Sequence, residues 1–258
     1  VYNGTVTYGG SQGAAPIHVQ SGTLTLATGA TFINNRSAAT TYNKGGPGEL
    51  IVNDLTIGGT QATNNWAVYE GKLTVNTILP TGNITVQNGA RLGGTGTIQG
   101  NVTASTGGMI LEPGASPGTM DITGNLALNS SSTVRIQLGG SNPGDGVGYY
   151  DQINVGGNLS LASAALEVTS HNNYLPPINS IYYILNTEGT RTGTFAGLSE
   201  GDTLSYTVGS YTIQAQITYN ANWTGDPSTS SWTGGNDVAL LVLIPEPVSY
   251  THLTLPTI

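Results

Sequence analysis

The chain of 258 residues contains no cysteine, only six lysines and arginines, and only 8% charged residues. The absence of cysteine excludes a disulfide scaffold and a thiolate metal site. Fourteen acidic residues against six basic ones give a net charge of -8. A basic surface for phosphate contacts is therefore missing, and nucleic acid is not an expected partner. The sequence also lacks an apolar run of the 18 or so residues that a membrane-spanning helix needs.

Glycine, in contrast, is abundant, with 38 residues, and it begins a short pattern that recurs along the chain. In this pattern glycine is followed by two apolar residues that are two positions apart. It begins at Gly22, Gly48, Gly71, Gly82, Gly118, Gly124 and Gly157. A period of two predicts strands that bury one face. The buried pairs are Leu24 and Leu26, Leu73 and Val75, Ile84 and Val86, Leu126 and Leu128, and Leu159 and Leu161.

No stretch of helical periodicity reaches three turns, so the pattern predicts an all-β chain. One such strand buries too little apolar surface to offset the entropy of ordering it, and each unit must pack on neighbours. Parallel stacking would give a β-solenoid, whereas antiparallel pairing would give a β-sandwich or jelly roll. The periodicity alone does not choose between these two folds.

The segment RLGGTGTIQGNVTASTGGMILEPGASPGTMDITGNLAL (91–128) resembles the autotransporter-associated β-strand repeat of bacterial surface proteins. The likeness continues through 149–168, 193–198 and 234–247, and it is weaker in 1–70. The resemblance implies a right-handed parallel β-helix with a C-terminal β cap. We assign solenoid repeats to 1–140 and a C-terminal solenoid and capping region to 141–243. The Pro176-Pro177 segment departs from the family, which usually shows a Gly-Asp turn there.

One motif suggests catalysis, because Gly114-Ala115-Ser116-Pro117-Gly118 fits the G-x-S-x-G nucleophile elbow of hydrolases. Asp151 and His171 follow Ser116 in the chain order of a hydrolase triad. The elbow, however, needs a backbone N–H on the residue after the serine, and proline has none. A strand pattern rather than a helix follows the serine. We therefore interpret the motif as a turn and predict no catalytic residue.

Metal and cofactor sites are not indicated either. The three histidines, His18, His171 and His252, are far apart in the sequence and form no short-spaced ligand motif. The segment GGSNPGDG (139–146) carries one carboxylate, too few for a calcium turn. We expect no cofactor.

The predicted function is a structural or adhesin-like element of the cell surface or extracellular matrix, without catalysis. One alternative is a polysaccharide lyase or hydrolase, for which the outward charges are Lys72, Asp121, Arg135 and Glu167. The sequence places these as single charges on separate strands. A second alternative is a glycan-binding module, for which the candidate aromatic platforms are Trp66, Trp223 and Trp232, although burial of these tryptophans against the solenoid cap explains them equally well. The expected partners are extracellular polysaccharide or neighbouring surface proteins.

The end of the chain carries the signal for localisation. Pro245-Glu246-Pro247, within 244–248, resembles the sorting motif of PEP-CTERM proteins. That resemblance implies export to the surface of a Gram-negative bacterium and a sorting enzyme as partner. Residues 249–258 resemble translated sequencing adapter and are set aside from the fold. Because the sequence begins at Val1 without a methionine, we interpret it as a fragment, attached to a membrane only through a missing C-terminal anchor.

The sorting interpretation predicts how the gene continues. Two prolines within three residues end the apolar strand 238–244 and present an extended, accessible segment to a processing enzyme. We expect about 20 apolar residues after Val248 and then an Arg/Lys cluster that stays cytoplasmic. Long-read sequencing across the locus checks this, and a stop codon or a polar domain after Val248 would refute it.

Overall fold

A computed structural model describes residues 1–2, 4–8, 14–34, 40–59, 64–87, 89–114 and 117–243. Every regular secondary-structure element within these ranges is a β-strand. In this part of the chain no helix is long and apolar enough to cross a membrane.

The described residues up to 113 form thirteen strands. They are β1 (Thr5–Tyr8), β2 (Ala14–His18), β3 (Thr23–Leu26), β4 (Thr31–Asn34), β5 (Thr40–Gly45), β6 (Glu49–Val52), β7 (Thr56–Gly59), β8 (Asn64–Val68), β9 (Lys72–Val75), β10 (Ile78–Val86), β11 (Arg91–Gly94), β12 (Thr97–Ala104) and β13 (Ile110–Pro113).

The described residues from 117 to 243 form thirteen more. They are β14 (Thr119–Ile122), β15 (Leu126–Ala127), β16 (Thr133–Leu138), β17 (Asn142–Pro143), β18 (Tyr149–Tyr150), β19 (Gln152–Val155), β20 (Leu159–Ser160), β21 (Ala165–Ser170), β22 (Ile181–Thr187), β23 (Arg191–Thr192), β24 (Thr203–Val208), β25 (Tyr211–Ala221) and β26 (Asp237–Val242).

The strands stack in parallel ladders, each strand pairing with its counterpart in the next coil. One ladder runs β3-β6-β9-β11-β13-β16 and continues to β21. A second begins β2-β5-β8-β10-β12 and then splits, with β14 and β15 pairing with opposite ends of β12. A short third ladder joins β1, β4 and β7. The fold is a parallel β-solenoid, and the parallel registers exclude the sandwich alternative for these coils.

Stacking places like side chains on one another inside the solenoid. In the first ladder the register aligns Leu50, Leu73, Leu92, Leu111 and Val134, all 0% exposed. The inward residues predicted from the alternation are buried, except Leu24, which is half-buried. Each apolar side chain is thus removed from water by its counterparts above and below it.

In the second ladder the inward column changes from aromatic to aliphatic along the solenoid. Its members, in register, are Tyr42, Trp66, Ile84, Val102, Leu126 and Leu159. The rings of Tyr42 and Trp66 lie 5.1 Å apart, and Phe32 packs against both at 5.3 and 6.5 Å. These three aromatic side chains fill the interior of the N-terminal coils, where the residue opposite Tyr42 is 24 positions on, at Trp66.

A column of asparagines on the outside marks the same turn in successive coils. We call it the asparagine ladder, and its members are Asn65, Asn83, Asn101, Asn125 and Asn158. The side-chain Oδ1 of each accepts a hydrogen bond from the next member, at 2.7 to 3.0 Å. The steps span 18, 18, 24 and 33 residues, so the ladder keeps its register while the coils change length.

Glycine is needed beside this ladder because the preceding asparagine lies against it. A Cβ on Gly124 would lie 2.5 Å from Oδ1 of Asn101, and one on Gly157 would lie 2.4 Å from Oδ1 of Asn125. Neither distance is compatible with a side chain. The recurring Gly-Asn pairs of the sequence are therefore explained by one coil packing on the next.

A lysine side chain is buried at another turn. Lys44 is 0% exposed, and its Nζ donates to the carbonyl oxygens of Gly46, Gly48 and Glu70 at 2.6, 2.6 and 2.8 Å. Three acceptors satisfy the three donors of an ammonium group, which offsets the cost of removing it from water. Burial lowers the pKa of Lys44, opposed by the charges of Glu70 and Glu49.

The C-terminal end changes from parallel to antiparallel pairing. Strand β22 pairs parallel with β19 on one edge and antiparallel with β26 on the other, and β26 is followed in the sheet by β25 and β24. The Pro176-Pro177 segment leads into β22 through Asn179, whose φ is +65°. This antiparallel group covers the edge of β22 that the next parallel coil would otherwise occupy.

The inward column predicts a large difference between two neighbouring positions. Leu126→Asp buries an unpaired carboxylate, so we expect a loss of about 4 kcal/mol or more of unfolding free energy. Thr103, whose side chain is exposed on β12, is the matched control, and Thr103→Asp should cost less than about 1 kcal/mol. Urea unfolding measures both, and equal midpoints would contradict the assignment of the two faces.

Candidate functional site

Six charged side chains line the outer face of the first ladder. We call them the charged ladder, and its members are Glu49, Lys72, Arg91, Glu112, Arg135 and Glu167. They come from six strands, β6, β9, β11, β13, β16 and β21. The ladder includes three of the six basic residues of the chain. The chain has few charged residues, and this ladder holds six of them, which makes this face distinct from the rest of the described surface.

Glu112 is the centre of the charged ladder. It lies 3.0 Å from Nζ of Lys72, 2.6 Å from a guanidinium nitrogen of Arg91 and 3.5 Å from one of Arg135. Arg135 also donates from Nε to Glu167 at 2.7 Å. Burial alone would raise the pKa of Glu112, but hydrogen bonds from Arg91 and Lys72 outweigh it and lower the pKa.

A glycine in the strand between Lys72 and Glu112 allows these two side chains to meet. Gly93 lies opposite Glu112 in the register, between the carboxylate and Lys72. A Cβ on Gly93 would lie 3.1 Å from Cε of Lys72 and 3.5 Å from Cγ of Glu112. The lysine and the glutamate therefore meet across the space that a larger residue would fill.

The expectation that the outward charges are single is wrong for three of its four residues. Lys72, Arg135 and Glu167 belong to one network with Glu112. Asp121 lies elsewhere, where it accepts a hydrogen bond from Asn154 at 2.9 Å. The sequence analysis did not identify Arg91 and Glu112 as members of this network. The recurrent glycine pattern at Gly71 could have aligned Lys72 with the neighbouring strands and so with these two residues.

A groove of about 360 Å³ lies beside the charged ladder, and three carboxylates line it: Glu112, Glu167 and Asp151. The first two are paired with cations. Asp151 is 1% exposed, and its two oxygens accept the backbone N–H groups of Gly118 and Gln137 at 2.6 and 2.7 Å. Burial raises the pKa of Asp151 to about 7, against the effect of these two hydrogen bonds.

Asp151 therefore holds the turn that precedes β14 against β16. Ser116, the serine of the elbow motif, lies outside the described residues. Pro117 and Gly118 are described, and the backbone N–H of Gly118 donates to Asp151. The Asp151 carboxylate thus has backbone donors on both oxygens, which is the bonding of a turn-stabilising residue.

The three tryptophans differ in their surroundings. Trp66 is 1% exposed inside the solenoid, which excludes it as a platform for the glycan-binding alternative. Trp223 and Trp232 are half-buried and pack on a small cluster of Tyr183, Ala221 and Ala239. The ring of Trp223 lies 5.1 Å from that of Tyr183, tilted by 40°.

Trp223 borders a second groove, of about 420 Å³, between the coils and the loop that joins β25 to β26. It is lined by Asn154, Val155, Gly156, Asn186, Thr187, Glu188, Trp223, Thr224, Gly225 and Asp237. Asp237 fixes one wall, because its carboxylate accepts the N–H of Thr187 and that of Trp223, both at 2.7 Å. Burial raises the pKa of Asp237, and these two hydrogen bonds oppose the shift.

Neither groove is lined by His18 or His171. Among the described residues no group of three or more His, Cys, Asp or Glu side chains could hold a metal ion. Nε2 of His18 lies 2.8 Å from Oε1 of Gln20. His252 and the motif Pro245-Glu246-Pro247 lie outside the described residues.

Asp151 predicts a specific pH dependence of stability. Its folded pKa of about 7 lies above the ordinary aspartate value of 3.8, so the folded chain retains a proton that the unfolded chain releases. The resulting stabilisation is complete below the unfolded pKa and is lost as the pH rises through about 7. Because only the unmodified chain loses this stabilisation, we expect its unfolding free energy to fall relative to that of Asp151→Asn between pH 4 and 8.

Denaturant unfolding at several pH values tests this expectation. Asp145→Asn is the matched control for losing a carboxylate from the same region, since Asp145 is exposed and accepts the N–H of Thr119 at 2.9 Å. A difference between Asp151→Asn and the unmodified chain that stays constant with pH would contradict the burial argument.

Comparison with known proteins gives one informative similarity. Over 196 residues the chain is 37% identical to the Adhesin BmaC autotransporter of Brucella suis biovar 1 (strain 1330). The alignment covers 69% of this chain but only 6% of that protein. No family model matches the chain. The chain is therefore related to a short segment of an autotransporter adhesin.

Proposed function

We propose that this chain is part of an adhesin-like β-solenoid exposed on the surface of a Gram-negative bacterium, with a structural and adhesive role and no catalysis. The observation that carries the proposal is the 37% identity to a protein named as an autotransporter adhesin. The chain spans only 6% of that protein, so the similarity does not show that this segment is itself adhesive, and its adhesive activity is our proposal.

The architecture supports a rigid surface element. Each coil contacts its neighbours through continuous ladders, so stiffness comes from nearest-neighbour stacking and not from a single central core. The asparagine ladder and the charged ladder add bonds between successive coils on the outside. A stacked rod of this type presents a long outer face at a distance from the cell.

The bonding of the charged groove supports a role without catalysis. General acid-base chemistry requires a carboxyl group that can reach a substrate and exchange a proton with it. Glu112 and Glu167 are engaged with lysine and arginine, and Asp151 is buried under two backbone donors. These contacts stabilise stacked coils and turns.

We further propose that Pro245-Glu246-Pro247 is a sorting motif read by a processing enzyme during export. Its support is the sequence resemblance alone. It begins two residues after residue 243, at which the described part of the chain ends.

Surface display tests the adhesive role. The full chain is displayed on a non-adherent laboratory bacterium, and cell retention is measured on polysaccharide-coated and protein-coated surfaces. We expect several-fold more retention than with the display vector alone. Thr103→Asp should retain the effect and Leu126→Asp should lose it, with display quantified by antibody.

Two results would refute the proposal. One is a folded, displayed chain that gives the same retention as the vector on every surface. The other is release of soluble sugar from the polysaccharide surface, since that would indicate an enzyme.

A further inference from the structure

We propose that the groove beside Trp223 is a binding site for a neutral oligosaccharide. This inference rests on the proposed adhesive function and names the ligand class and the residues for it. The groove has an aromatic wall and a small number of fixed polar groups, which is the usual composition of a site for a small ligand.

A column of side chains leads into the groove and fixes the orientation of its amides. In the register, Asp121, Asn154 and Asn186 lie on successive coils of the outer face. Nδ2 of Asn154 donates to Oδ1 of Asp121 at 2.9 Å, and Nδ2 of Asn186 donates to Oδ1 of Asn154 at 2.8 Å. Because a carboxylate oxygen accepts, each amide in the column must donate towards Asp121.

This orientation leaves an acceptor at the end of the column. Asn186 is 6% exposed and lines the groove, and among the described residues its Oδ1 has no hydrogen-bond partner. A buried acceptor without a donor destabilises the folded chain. Because this oxygen is itself buried, a ligand hydroxyl in the groove reaches it only after a small shift of the Asn186 side chain, and it then donates to the oxygen.

Trp223 supplies the second part of the site. Its ring packs on Tyr183, and its backbone N–H is held by Asp237, which also holds the backbone N–H of Thr187. The loop behind it is closed by a pair of hydrogen bonds between Asn222 and Ser231, at 2.9 and 3.0 Å. The aromatic face is therefore in place before a ligand arrives, which lowers the entropic cost of binding.

The charges around the groove select the ligand class. Asp237 and Glu188 line it, and no Lys or Arg side chain does so in the described part of the chain, so an anionic sugar would be repelled. Both oxygens of Asp237 are occupied by backbone N–H groups and offer little to a cation. A pyranose ring presents an apolar face to a tryptophan and hydroxyl donors at its edge, and it matches both groups.

The test uses an array of neutral oligomers of glucose, galactose and N-acetylglucosamine, followed by calorimetry with the oligomer that binds. We expect Trp223→Ala and Asn186→Ala to weaken binding about tenfold or more. Trp232→Ala is the matched control, because Trp232 packs on the same cluster but does not line the groove, and its affinity should be unchanged. Unfolding midpoints confirm that each variant is folded.

Deacetylated glucosamine oligomers and oligogalacturonate provide cationic and anionic probes of similar size. Preference for a neutral oligomer that both groove variants weaken would support the site. No binding of any neutral oligomer, equal binding by all variants, or preference for a charged oligomer would overturn it.

The surface-display measurement separates this inference from the function on which it rests. If displayed cells adhere and Trp223→Ala adheres equally, the adhesive role stands and this site is refuted as its binding site. If the displayed chain does not adhere but binds the neutral oligomer through Trp223, the site stands and the adhesive role is refuted.

Discussion

Parallel stacking of one coil on the next is the constraint on which the rest of this structure depends. A single coil contributes only a few inward side chains, and these are removed from water only when the neighbouring coil presents similar residues at the same register. The column Leu73, Leu92 and Leu111 shows this condition met at three successive coils. A register error in one coil would expose the inward residues of that coil and of both neighbours.

Coil length varies freely because the register is set at a few fixed points. The asparagine ladder makes the same contact across steps of 18 and of 33 residues. Extra residues are accommodated in turns and short strands, such as β17 and β18, which lie between β16 and β19. The irregular spacing that weakens a repeat in the sequence is therefore compatible with an uninterrupted stack in space.

The alternation of apolar residues was enough to predict strands and nearly all their buried faces, because that pattern is local. It did not choose parallel pairing, which depends on contacts between residues 18 or more positions apart. The same limit explains why the sequence did not predict the charged ladder. Lys72, Glu112 and Arg135 are separate in the sequence, and only the register brings them together across Gly93. The sequence left open whether Trp66 is buried or exposed, because its burial depends on Tyr42, one coil away.

The two grooves show how the same stacking can produce structure in one place and a binding surface in another. On the charged face every carboxylate of the groove has a cation or a backbone N–H, so bonding between coils is complete there. In the column that ends at Asn186, the amide NH₂ group of each asparagine donates to a side chain on the coil before it. The side-chain oxygen of Asn186 would need a donor from a coil after it and has no hydrogen-bond partner among the described residues. There the parallel stack gives way to the antiparallel strands, and β26 pairs with β22 only as far as Leu185. The end of this ladder is thus one position where an unmet hydrogen-bonding group arises without any catalytic or metal-binding motif in the sequence.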